Sequence, residues 1–183
     1  GDDSTLDLIG RFLGSLGPVT RSERALTTVL CLGIAQSEQL AANLGHARWQ
    51  DLLVRQRAIV RAELARFDGH EAARSPDGFL VSFDGPARAL RFARTVRQVL
   101  RDQLRLEIHA GAHTGECARA GDNLSGPAVE IGLAVLLAAQ AGEVLATSAV
   151  KDLGVGSGIE LRELGAQVLK GVPGRWELYA LED

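Results

Sequence analysis

The side chains best placed for chemistry are few. Along residues 105–117 the residues alternate with period two. Leu106, Ile108, Ala110 and Ala112 fall on one face and Glu107, His109 and His113 on the other. Imidazoles beside a carboxylate on one strand face are the donor types of a divalent-metal site. Asp77 stands in the turn Ser75-Pro76-Asp77-Gly78, between two segments able to pair as a hairpin. Glu130 is the one acid in an otherwise apolar stretch from 126 to 141. Lys170 lies in a turn sequence, Leu169-Lys170-Gly171-Val172-Pro173-Gly174, the setting of a solvated surface cation. Cys31 and Cys117 have no metal-ligand spacing and no disulfide framework around them.

These groups need elements to hold them. Residues 27–34 are β-branched and apolar, suited to the middle of a sheet. Helices are expected over 36–44 and 46–67, the second with Trp49, Leu52, Leu53, Ile59, Val60 and Leu64 at three-to-four spacing. Asp68-Gly69 turns the chain into a hairpin over 70–83. A helix over 85–103 follows with Pro86 in its first turn, where a missing N–H costs nothing. After the strand at 105–117 come a turn at Gly121-Asp122-Asn123 and the helix 126–141. So apolar a helix must be buried on several sides, with Leu133, Val135 and Leu137 among the core residues. Strands over 143–147, 159–168 and 175–181 complete the sheet. The order β-α-α-β-β-α-β with extra strands is a ferredoxin-like α/β sandwich.

Composition limits the rest. The 183 residues are 46% hydrophobic and 23% charged, ordinary for one globular domain able to fold without staples. A net charge of −3 makes no electrostatic case for nucleic acid or an anionic membrane. No apolar run approaches the roughly 20 residues needed to span a bilayer. Cysteine usage points to a reducing, cytoplasmic setting. Methionine is absent, so a larger parent protein is expected. Leu6, Ile9, Phe12, Leu13 and Leu16 mark a short amphipathic helix, broken by Gly14, Gly17 and Pro18. Residues 1–24 therefore read as a helix and linker from an upstream domain, and 25–183 as the main domain.

The run from Arg74 through Asp77-Gly78-Phe79-Leu80 to Phe83, with Gly111-Ala112-His113-Thr114-Gly115-Glu116 downstream, resembles the framework of class III adenylate/guanylate cyclases. The pair Ala89 and Ala93, the opening strand 27–34 and the ending 169–174 fit as well, so the resemblance covers about residues 25 to 181. It implies a nucleotidyl cyclase-like sandwich whose site forms between two domains packed head to tail. The partner would be a second copy or a competent cyclase domain.

The resemblance also implies which residues should act. In the family two aspartates hold two metal ions, which stabilise the attacking and leaving oxygens. Their positions fall on Gly33, which can ligate nothing, and on Asp77, a single weak ligand. The phosphate-turn glycine falls on Gln36, with Glu38 adding negative charge. The simpler reading of 34–38 is a helix start capped by Gln36 or Ser37. The base-reading lysine falls on Ala73, with Arg74 on the other sheet face, and its polar companion on Asn123 or the adjacent Asp122. The asparagine and arginine that stabilise the transition state fall on Glu130 and Ala134. Lys170 matches a lysine that often reaches the phosphates. His113 matches a framework position, so a buried, hydrogen-bonded histidine is the preferred reading over a metal ligand.

The expectation is a cyclase-homology domain without cyclase chemistry, serving as a dimerising or regulatory module in cytoplasmic signalling, with no cofactor. One rival is an active cyclase using Mg or Mn on Asp77 and Glu130. Another is a pseudo-cyclase whose pocket binds a different small molecule.

Overall fold

The computed structural model describes residues 23–183. The chain order is β1 (Glu23–Ile34), α1 (Ser37–Leu44), α2 (His46–Arg66), β2 (His70–Arg74), β3 (Gly78–Phe83), α3 (Pro86–Leu104), β4 (Ile108–Ala120), β5 (Asn123–Ser125), α4 (Pro127–Ala138), β6 (Val144–Thr147), α5 (Ser148–Leu153), β7 (Leu161–Val168) and β8 (Arg175–Leu181). Eight strands form one mixed sheet in the order β2-β3-β1-β4-β6-β8-β7, with β5 paired to β4. This is the expected α/β sandwich.

β1 is central because it is apolar on both faces. It pairs antiparallel with β3 and β4, and every residue from Thr27 to Ile34 is buried. Its even residues Leu30, Leu32 and Ile34 join the core under α2 and α3, where Leu53, Val60, Phe92 and Val96 fill the space. Its odd residues Val29 and Cys31 face α4 with Val129, Leu133 and Leu136. A third cluster joins Ala134 and Val135 to Leu145, Leu169 and Leu178. Two glycines let α4 lie on the strands. A Cβ at Gly111 would stand 2.2 Å from the Leu136 backbone nitrogen, and one at Gly132 would stand 3.0 Å from Val29 Cγ2.

Several boundaries differ from expectation, each for a local reason. β4 starts at Ile108 because Arg105 is left-handed (φ 55) and closes α3, its N–H bonding Arg101 and that of Leu106 bonding Leu100. β4 continues to Ala120 because Ala118–Ala120 pair with β5, so Asn123 begins a strand. α4 ends at Ala138, since Ala139 is extended and its N–H turns back to Leu136. Leu137 is therefore only half-buried, and Leu136 fills the core position instead. The short helix α5 had no periodic signal. The amphipathic segment at residues 6–16 lies outside the described residues.

Candidate functional site

Gly33 is the penultimate residue of β1, paired with Gly78 on one side and His109 on the other. Alternation from Val29 and Cys31 aims position 33 at the α4 face. A side chain begun there would have its Cβ 3.5 Å from His109 Nε2, and only the His109 ring lies within 4 Å. His109 Nδ1 is 3.3 Å from the Ala139 carbonyl at the end of α4. Burial pushes the His109 pKa below its usual value, opposed by the Ala139 bond and by the Asp77 charge. The imidazole is neutral near pH 7, and it stands beside the place where a carboxylate would start.

Asp77 lies in the β2–β3 turn, closed by the Ser75 N–H to the Gly78 carbonyl (3.0 Å). Ser75 Oγ donates to Asp77 Oδ1 at 3.4 Å. From behind, consecutive residues of α2 hold the turn: Gln56 Nε2 donates to the Asp77 carbonyl (3.2 Å) and Arg57 Nη2 to that of Pro76 (2.9 Å). Gln56 is fully buried, in line with Leu53, Val60 and Leu64. Sequence reading did not pick out this residue. The signal was there: a glutamine in the middle of an apolar stripe.

The remaining positions scatter. Ala73 is buried against Leu80, Leu124 and Leu133, with Arg74 exposed beyond it. A bulge at Ala72 sets that register. Asn123 is half-buried at the start of β5 and Asp122 is exposed. Glu130 is exposed on the first half of α4, while Ala134, one turn on, is 3% exposed beneath Leu145, Leu169 and Leu178. Lys170 is exposed in the turn after β7. Glu130 precedes Ala139 by nine residues, about 13 Å of helix rise. The Asp77 charge acts on His109, which contacts the Ala139 carbonyl at the C-terminal end of α4, whereas Glu130 lies in the N-terminal half of that helix.

Gln36 is at the cap of α1 with φ 55, a left-handed conformation, and no side chain caps that helix. The helix start is as expected, but the capping is not. A left-handed residue points its side chain away from the Asx-like geometry that serves a first-turn N–H. Glu107 is bound to Arg101 through both carboxylate oxygens (3.1 and 3.2 Å) and faces neither histidine. His113 is buried, its Nδ1 2.7 Å from Thr147 Oγ1. Among the described residues, no three His, Cys, Asp or Glu side chains cluster as a metal site. A pair of divalent cations needs anionic oxygen donors from both strands. Here Gly33 offers no donor and Asp77 is the one carboxylate of the pair, so the residues do not fit a two-metal clamp.

No protein-family model matches the sequence, and no curated protein does. Solved structures do match. The adenylyl cyclase CyaB from P. aeruginosa aligns with a TM-score of 0.81 at 23% identity, over 89% of this chain and 96% of that one. The guanylate cyclase domain of RhGC from Catenaria anguillulae, solved with GTP, gives 0.78 at 15% identity, over 87% and 98%. The adenylate/guanylate cyclase/hydrolase from Silicibacter pomeroyi gives 0.73 at 18%, over 87% and 97%. With β1, the β2–β3 hairpin and α4 arranged as described, the chain has the fold of class III adenylate/guanylate cyclase domains.

Proposed function

We propose that this chain is a cyclase-fold domain that has lost cyclisation chemistry and acts as a dimerising or regulatory module in a cytoplasmic signalling protein. The observation that carries the proposal is the Gly33–His109 pair. The first metal-ligand position holds no side chain, and its open side is walled by an uncharged ring. Asp77 alone does not hold two cations. Ala73 cannot donate to a purine, and Ala134 is sealed under leucines where an arginine would be needed. These parts act as a unit in catalysis, so their joint loss removes turnover.

The preferred assembly is a head-to-tail homodimer, or a heterodimer in which a competent cyclase domain supplies the missing groups. A homodimer repeats every defect at both sites. The active-cyclase reading, with Asp77 and Glu130 sharing Mg or Mn, needs carboxylates that α4 separates within a protomer. Calorimetry with a non-hydrolysable ATP or GTP analogue and Mn²⁺ tests the proposal, with no heat of binding expected. Sedimentation velocity is expected to show a dimer at micromolar concentration. Micromolar analogue affinity would overturn the loss of the site, and a monomer at every concentration would overturn the dimerising role.

A further inference from the structure

A cavity of about 270 Å³ opens between β4 and the first turn of α4, away from Gly33 and Asp77. Gly115 and His113 line its floor, Cys117, Ala128 and Ile131 its walls, and Arg24 with Glu116 its rim. We propose that this cavity binds a small, neutral, largely apolar molecule bearing one hydroxyl group, of the phenol class, whose hydroxyl pairs with His113 Nε2. The proposal is independent of the lost cyclase chemistry.

His113 is 8% exposed and its ring is fixed on two sides. Nδ1 is 2.7 Å from Thr147 Oγ1, and Trp176 packs against the ring at 5.7 Å and 85°. Nε2 has no hydrogen-bond partner among the described residues. It lies over Gly115, where a Cβ would be 3.2 Å from it and 3.2 Å from Ala128 Cβ. The missing side chain at 115 is what leaves the floor open. Nε2 is open to the cavity, and a ring nitrogen with no protein partner in a mostly apolar pocket favours a ligand that supplies one.

Charge selects the ligand class. Burial lowers the His113 pKa to about 4, so the ring is neutral at physiological pH. Burial raises the Cys117 thiol, keeping it neutral too. Arg24 and Glu116 face each other at 3.9 Å and offset one another. No uncompensated charge awaits a phosphate, a carboxylate or an amine. The Thr147 contact permits either His113 tautomer, so Nε2 either accepts or donates, and a hydroxyl can answer both.

The test uses the full chain labelled with ¹⁵N, titrated with p-cresol and with p-xylene, which lacks the hydroxyl. The expected result is a saturable shift of the His113 ring nitrogens, with His46, His70 and His109 unmoved. Affinity for p-xylene should be at least tenfold weaker. Gly115→Ala should weaken p-cresol binding tenfold or more. Should that variant not fold, Ile131→Trp narrows the mouth and should do the same. No saturable His113 shift, equal affinity for the two probes, or undiminished binding in the folded variants would overturn the proposal.

Discussion

His109 Nε2 stands 3.5 Å from the point where a side chain at Gly33 would begin, and Gly33 and His109 are direct cross-strand partners. The pair explains how the sheet accepts a glycine in a central strand: the neighbouring ring covers the gap. It also predicts what Gly33→Asp does. The new carboxylate meets the imidazole first, forming an ion pair instead of half a metal site. The His109 pKa, now depressed by burial, should rise, because the new carboxylate favours the charged imidazolium. An NMR titration of the histidine ring checks this, and an unchanged midpoint would contradict the geometry.

The approach of α4 to β4 predicts unequal costs for two glycines. At Gly111 a methyl would collide with backbone, 2.2 Å from Leu136 N and 2.7 Å from the Gly132 carbonyl. Neither can rotate away. Gly111→Ala should cost about 3 kcal/mol or more, by forcing the helix off the strand. At Gly132 the nearest atoms are side-chain ends, Val29 Cγ2 at 3.0 Å and Cys31 Sγ at 3.4 Å. Gly132→Ala should therefore cost about 1 kcal/mol at most, offset in part by better helix propensity. Urea unfolding of the two variants gives the comparison.

His113 predicts an acid limb in stability. Its pKa is about 4 in the fold, below the ordinary 6.5. The unfolded chain thus binds the proton more readily, and stability falls as pH drops from about 6.5 through 4. The contribution is on the order of 2–3 kcal/mol across that window. His113→Asn should lose that part of the pH slope while being less stable at pH 7. Denaturant midpoints at pH 7 and 4.5 for both proteins measure it.

Gln36 predicts a stabilising glycine. Its φ of 55 carries the left-handed penalty of an L-residue, about 1–2 kcal/mol, against a glycine entropy cost of roughly 0.5–1 kcal/mol. Gln36→Gly should be neutral to about 1 kcal/mol stabilising, whereas Gln39→Gly, three residues on in α1, should destabilise. Thermal unfolding separates the two.

Much of this architecture was legible because its signals are local. The apolar run 27–34, the turn-bounded hairpin and the α4 stretch each announce an element by period and composition. β5 and α5 were not legible, being three and six residues long with no room for a period. Gly33, Ala73, Glu130 and Ala134, the residues that the family resemblance sets at functional positions, could be read in order along the chain. What they face could not. That His109 walls Gly33 depends on the β1–β4 register, and that Ala134 lies under Leu169 and Leu178 depends on a loop and a strand more than thirty residues away. The burial of Gln56 could be read from the apolar stripe of α2, but its partner could not: only the packing of α2 behind the hairpin gives it the Asp77 carbonyl.

In the proposed function the cyclase fold persists without turnover. The most direct measurement is incubation of the purified full chain with ATP or GTP and Mn²⁺, with products separated by chromatography. A cyclase-fold domain without turnover forms no cyclic nucleotide above the protein-free control with either substrate. Protein-dependent formation of cyclic AMP or cyclic GMP would contradict it.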